Sequence, residues 1–154
     1  MSKRLLIVVD MQNDFIDGSL ANPAAQAIVN GIVDEINNNM YDANKPYEHM
    51  YSKVILTRDT HNDNYLSSTE GKYLQVEHCI KNSNGWCINE KIFQAARMFG
   101  NYEIINKPTF GYLDWAFAED HFSEIVLVGT CTDICVISNA LILKAKYPNV
   151  KITV

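Results

Sequence analysis

The stretch Arg4-Leu5-Leu6-Ile7-Val8-Val9-Asp10 decides the fold. Its apolar core has no alternation and ends on a carboxylate. An unbroken run of this length suits a strand covered on both faces, the signature of a parallel sheet inside an α/β domain. Four further runs follow the same pattern: Lys53 to Thr57, Tyr102 to Ile105, Glu124 to Val128 and Val150 to Val154.

Helical patterns separate these runs. Pro23 to Asn37 carries Ala24, Ala27, Ile28, Ile32, Val33 and Ile36 at helical spacing, opened by Asn22 as cap and Pro23 in the first turn. Ile88 to Phe99 is similar. Thr132 to Tyr147 begins with a cap-type residue, continues through Val136, Ala140 and Leu143, and is closed by Pro148. Strands alternating with helices predict an α/β fold. The expected form is an open, mainly parallel sheet with helices on both faces, a Rossmann-like three-layer arrangement. The polar stretches 38–51 and 62–85 read as loops.

Residues 1–154 are expected to form a single domain, since no repeat, low-complexity tract or linker interrupts the pattern. The last run stops at Val154, where a complete domain of this type continues. A C-terminal truncation lacking the last strand and helix is therefore expected.

Composition narrows the function classes. The net charge is -5, with acidic residues scattered, which argues against nucleic acid or an anionic membrane as partner. The opening apolar run is too short for a membrane span or a signal peptide, so a cytoplasmic location is expected. Four cysteines, Cys79, Cys87, Cys131 and Cys135, are too few for a disulfide scaffold in 154 residues. In a reducing compartment they are thiols, metal ligands or a nucleophile.

Ligands of open parallel sheets bind beyond the carboxyl ends of the strands. Here the first strand runs into Asp10, the second into Asp59 and His61, the third into Lys107, and the fourth into the Cys131 to Cys135 turn. Carboxylates, an amine, an imidazole and thiols thus converge on one rim. Cys135 falls in the first turn of a helix that Thr132 or Asp133 can cap. The dipole and free N–H groups there favour a thiolate and can hold an oxyanion. Lys107 is expected to lower the thiol pKa further, and Asp10 to exchange its proton.

Each residue taken alone also has a plainer reading. Cys135 reads as a small buried hydrophobe, Asp10 as a turn cap, and Lys107 as a solvated side chain. Cys131 and Cys135 form a C-x-x-x-C pair, whose spacing is not that of a thioredoxin-like site. Trp86 and Trp115 carry no motif and read as packing residues.

Several blocks together resemble the isochorismatase-like cysteine hydrolases, most of all their nicotinamidase-related branch. They are Leu6 to Phe15 (LIVVDMQNDF), Thr57 to His61 (TRDTH), Glu77 to Cys79 (EHC), Lys107 to Gly111 (KPTFG) and Gly129 to Val136 (GTCTDICV). They occur in order along the whole chain. The resemblance implies a catalytic triad of Asp10, Lys107 and Cys135, and an oxyanion hole from the N–H groups of Cys131 and Cys135. It also implies a non-proline cis peptide at Thr130–Cys131.

A divalent metal such as zinc is implied as well, held by Asp59, His61 and His78. The family's other histidine is absent, because the chain reads Asn62-Asp63-Asn64-Tyr65, and Glu70 is the candidate substitute. Phe15 is expected to stack on a flat substrate. The aromatic that ordinarily precedes the His-Cys block is also missing, with Gln75 near that place.

The function expected on this basis is hydrolysis of a small amide through a thioester on Cys135. Ether hydrolysis of the isochorismatase type is one alternative. A catalytically silent binding or assembly module is another, and a Cys135 thiol no more acidic than a free one speaks for it. The expected partner is a small molecule, and a homo-oligomer is compatible with the exposed sheet edge.

Overall fold

β1 (Arg4–Val9) lies at the centre of the sheet, and the destinations of its side chains explain its unbroken hydrophobicity. Leu6 and Val8 enter a core layer with Ile32, Ile36 and Ile92, while Leu5, Ile7 and Val9 enter a second layer with Val136, Ala140 and Leu143. Both faces of the strand are therefore dry. The computed structural model from which this is seen describes residues 3–40, 44, 50–118 and 121–154. Most of the predicted loop over 38–51 lies outside the described residues.

Among the described residues five parallel strands form one sheet, in the order β3-β2-β1-β4-β5. The others are β2 (Tyr51–Asp59), β3 (Tyr102–Lys107), β4 (Glu124–Gly129) and β5 (Lys151–Thr153). The helices α2 (Pro23–Asn38) and α4 (Glu90–Phe99) cover one face, and α5 (Ile137–Lys146) covers the other. The chain moves outward from β1 through β2 to β3, then crosses to β4 on β1's other side. This reversal puts the topological switch point, where open sheets bind ligands, between the ends of β1 and β4. No helix among the described residues is long and apolar enough to cross a membrane.

The predicted strands all form, with shifted ends. β2 extends two residues beyond the predicted run at each end, and β3 runs on to Lys107. Asn22 caps α2 as expected, its Oδ1 accepting the Ala24 N–H at 2.9 Å. The inward face of α2 is corrected: it is Ala25, Val29, Ile32 and Ile36, while Ala24, Ala27 and Ile28 face out. The alanine-rich first turns fit two helical stripes, and packing on β1 selects the one with Val29.

Two further corrections concern segments near the site. The stretch 62–85 is not all loop. It holds a 3-10 turn at Tyr65–Ser67 and a short helix, α3 (Thr69–Tyr73), whose Gly71 N–H is capped by Ser68 Oγ at 2.9 Å. Neither piece is long enough to leave a periodic signal. After β4 the chain turns as a π-helix over Thr132–Val136 before α5 begins, and neither Thr132 nor Asp133 caps it with a side chain. A short helix, α1 (Asn13–Ile16), follows the end of β1.

The packing readings for the two tryptophans agree with their burial. Trp115 is against Tyr112 and Phe117, and Trp86 lies under the Arg58 guanidinium.

Candidate active site

Asp10 is the first residue past β1, fully buried and with φ of +50°. Asp and Asn adopt this left-handed backbone more readily than most residues, which suits Asp10 to a turn that leaves the sheet abruptly. Thr57 Oγ1 on β2 accepts the Asp10 N–H at 3.2 Å and donates to Asp10 Oδ1 at 2.7 Å. The other carboxylate oxygen faces Lys107 Nζ at 2.6 Å.

Lys107 ends β3 and is as buried as Asp10. Its ammonium donates to the Thr109 carbonyl at 3.1 Å, and lies 3.8 Å from Cys135 Sγ and 3.7 Å from Asp59 Oδ1. Burial works against its charge, but Asp10, Asp59 and Cys135 outweigh that and raise its pKa overall. Lys107 is therefore an ammonium, not the solvated side chain of the plainer reading.

Gly129 brings the third partner in. At φ of +128° it lies so close to β1 that an added Cβ would stand 2.1 Å from the Val9 carbonyl oxygen. Thr130 N–H then donates to that same carbonyl at 3.0 Å, and the Thr130–Cys131 peptide is cis. The π-helical turn delivers Cys135, 6% exposed, to the edge of the cavity. Asn139, fully buried one turn later, donates to the carbonyls of Cys135 and Phe110 and accepts the Tyr112 N–H. It ties the segment after Lys107 to the turn that carries Cys135.

The expectation of a preformed thiolate is overturned. Burial pushes the Cys135 thiol well above its ordinary value. The adjacent Asp10 carboxylate adds to the rise, and Lys107 only partly opposes it. Burial also raises the Asp10 carboxyl, against the pull of Lys107. The cluster holds a protonated sulfur beside a carboxylate with raised proton affinity.

A second cluster stands next to the first. Asp59 at the end of β2, His61, Glu70 in α3 and His78 place one donor atom each within 4.8 Å of one another. Asp59 Oδ2 lies 2.9 Å from His61 Nε2 and 3.6 Å from His78 Nε2. Glu70 Oε1 lies 3.8 Å and 3.7 Å from the same two nitrogens. A tetrahedral zinc ion with bonds of about 2.1 Å separates its donors by roughly 3.4 Å, so three of these edges are already near the required span.

The surroundings also fit a cation. The His78 Nδ1–H donates to the Val76 carbonyl at 2.8 Å, which leaves Nε2 as the electron-pair donor of the neutral ring. Burial opposes ionisation of Asp59, but the hydrogen bond from His61 and the nearby Lys107 ammonium hold its carboxyl well below the usual range. Its Oδ1 is buried without a hydrogen bond among the described residues. Two imidazoles and two carboxylates suit zinc or a similar divalent ion.

Gln12 holds this group from behind. Fully buried, it accepts the Asp59 N–H at 2.7 Å and donates to the carbonyls of Asp59 and Trp86. Tyr65 closes the other side: its hydroxyl donates to the Leu74 carbonyl at 3.0 Å, and its ring lies against both histidines.

Between the clusters lies a cavity of about 230 Å³. Cys131, Cys135, Asp59, Glu70 and His78 contribute to its lining, and Phe15, Leu20, Leu74, Phe110 and Ile134 give it an apolar wall. Phe15 is where a flat ligand would meet it, 5.6 Å from the His78 ring. Near the place of the missing aromatic the wall is Leu74.

The structure therefore brings together all the site residues singled out in the sequence. Sequence reasoning gave no role to Thr57, Gln12 and Asn139, which act through other residues; Thr57 and Gln12 lie inside quoted blocks and Asn139 outside them. It also missed the apolar wall, whose members come from separate segments.

The chain matches the family model described as the isochorismatase domain over residues 4–154. It is 26% identical to the nicotinamidase of Saccharomyces cerevisiae, covering 90% of this chain and 80% of that one. The solved structure of that yeast enzyme with the inhibitor nicotinaldehyde has a TM-score of 0.72 at 22% identity, covering 94% of this chain and 82% of that one. A pyrazinamidase/nicotinamidase from Streptococcus mutans superposes with a TM-score of 0.75 at 24% identity, covering 97% and 83%. The Pyrococcus horikoshii pyrazinamidase, solved in complex with zinc, gives 0.68 at 22% identity, covering 97% and 86%. This chain thus belongs to the isochorismatase family of hydrolases, on its nicotinamidase-related branch.

Proposed function

We propose that this protein hydrolyses a small, neutral, flat amide of the nicotinamide type through a thioester on Cys135. The observation that carries the proposal is the buried contact set of Asp10, Lys107 and Cys135 at the edge of a mainly apolar cavity.

The raised thiol supports activation of the sulfur by proton transfer rather than from a standing thiolate. Cys135 passes its proton to Asp10 as the sulfur attacks the amide carbon, so no free thiolate has to form in the buried site. The carbonyl oxygen takes the negative charge, and the N–H groups of Cys131 and Cys135 are its proposed donors. Asp10 then gives the proton to the departing nitrogen, and ammonia leaves a thioester. Water attacks that thioester with Asp10 again accepting a proton, and the returning sulfur is reprotonated as the carboxylic acid is released. Lys107 remains an ammonium throughout and holds Asp10 in place.

Asp59, His61, Glu70 and His78 would hold the metal. When bound, it would supply a Lewis-acid anchor for a ring nitrogen of the substrate. Phe15 lies where it can cover the face of that ring.

The cavity lining supports this reading over isochorismate hydrolysis. Its apolar wall suits a neutral ring, and among the described residues the lining holds no lysine or arginine to pair with the two carboxylates of isochorismate. The raised thiol is the observation that favours a silent module. The raised Asp10 carboxyl beside it supports the enzyme instead, because it gives the thiol an adjacent acceptor of increased proton affinity.

Trapping with nicotinaldehyde, the aldehyde counterpart of nicotinamide, tests the proposal. With nicotinaldehyde carrying 13C at its carbonyl, the wild type should show the tetrahedral carbon signal of a thiohemiacetal, and Cys135→Ala should show only free aldehyde and its hydrate. A thiohemiacetal signal of equal strength in the alanine variant would sink the mechanism.

A further inference from the structure

Asp14 belongs to neither cluster, yet its carboxylate is committed to the loop that carries the histidines. Oδ2 accepts the Cys79 N–H at 2.7 Å, and Oδ1 accepts the Ser19 N–H at 3.2 Å. The backbone reinforces the contact, because Asp14 N–H donates to the Gly85 carbonyl at 3.0 Å. Gly85 packs so closely that an added Cβ would lie 2.1 Å from Asp14 Oδ2. An acidic residue in a first turn ordinarily serves its own helix. Asp14 instead reaches 65 residues along the chain.

The residue it grips is the junction of the metal-ligand group. Cys79 follows His78 directly and is fully buried with φ of +49°. Its carbonyl accepts the His61 N–H at 3.0 Å. One imidazole is thus covalently adjacent to the Cys79 peptide, and the other hangs from its carbonyl. A left-handed backbone at a residue other than glycine needs surrounding contacts to hold it, and the Asp14 carboxylate is such a contact.

We propose that Asp14 is a positioning residue for the metal centre. By fixing the Cys79 peptide it holds His61 and His78 at the spacing a divalent cation requires. The proposal rests on the reading of Asp59, His61, Glu70 and His78 as metal ligands.

Zinc affinity, measured by competition with a chromophoric chelator, tests it apart from activity. Asp14→Ala should weaken zinc binding by about 10- to 100-fold, the usual effect of losing a group that orients metal ligands. Asp14→Asn keeps one acceptor oxygen for the Cys79 N–H and should stay within about fivefold of wild type. The rate of Cys135 alkylation by iodoacetamide should change by no more than about twofold in either variant, because additive effects are expected at independent sites.

Gly85→Ala gives a second approach, since its new methyl displaces the Asp14 carboxylate without removing it. It should weaken zinc binding in the same direction, and it decides the matter if Asp14→Ala does not fold. Zinc binding as tight as wild type in a folded Asp14→Ala or Gly85→Ala protein overturns the positioning role alone. Loss of zinc binding and alkylation by equal factors also overturns it, since that marks general loosening. A wild-type protein that does not bind zinc overturns the metal reading, and this inference with it.

Discussion

Lys107 Nζ lies 2.6 Å from Asp10 Oδ2, and both side chains are completely buried. Each charge is therefore solvated mainly by the other, together with Thr57 Oγ1 and the Thr109 carbonyl. Removing one partner strands the other. Lys107→Met should lower unfolding stability by about 3–5 kcal/mol in urea titrations and abolish hydrolysis. Adding Asp10→Asn to that variant should restore much of the stability and none of the activity. A loss below about 1 kcal/mol in the single variant would fit an exposed pair instead.

The pH profile should report Asp10. Its carboxyl is raised by burial, and it must be ionised to accept the Cys135 proton. As pH falls through that raised pKa, Asp10 protonates and kcat/KM should drop, with an acid limb above the ordinary carboxylate value of about 3.9. Thr57 donates to the ionised form and lowers this pKa. Thr57→Val should therefore move the limb to higher pH, and an unmoved limb would assign it to another group.

Metal removal should separate binding from nucleophilic chemistry. Dialysis against a chelator is expected to raise KM for a ring amide, while iodoacetamide still alkylates Cys135 at the untreated rate. Zinc added back should restore KM. Equal loss of alkylation would mean that the cation is also needed to hold the Asp10–Lys107–Cys135 cluster.

Gly129 should be intolerant of any side chain. At φ of +128°, with the Val9 carbonyl oxygen 2.1 Å from the position of a Cβ, the β4 end cannot stay beside β1 if a methyl is added. Gly129→Ala is expected to cost about 3 kcal/mol or more in thermal unfolding. Gly31 has nothing within 4 Å of its added Cβ and lies inside α2, so Gly31→Ala should stabilise by about 0.4–1 kcal/mol.

The sheet was legible because the runs that became β1, β2 and β4 are unbroken enough to need two covered faces, and the weaker edge runs of β3 and β5 kept the alternation with helices. The strand ends then pointed to Asp10, Asp59, Lys107 and the Cys131 to Cys135 turn. Their grouping follows from strand order, and parallel strands bring their carboxyl ends to one rim. The electrostatics were less legible. From sequence, Cys135 at a helix start favoured a thiolate, yet its burial against Asp10 favours the thiol, and burial depends on the packed fold. Gln12, Asp14 and Asn139 were missed for a related reason. Each reaches at least one peptide 29 or more residues away in sequence, which no local pattern displays.

The most direct test of cysteine-dependent amide hydrolysis is ammonia release from nicotinamide and pyrazinamide, comparing wild type with a folded Cys135→Ala variant. Wild type should release ammonia, and the variant should be slower by at least about 10³-fold, as expected when a covalent nucleophile is removed. Release by the alanine variant at the wild-type rate would contradict the proposed chemistry.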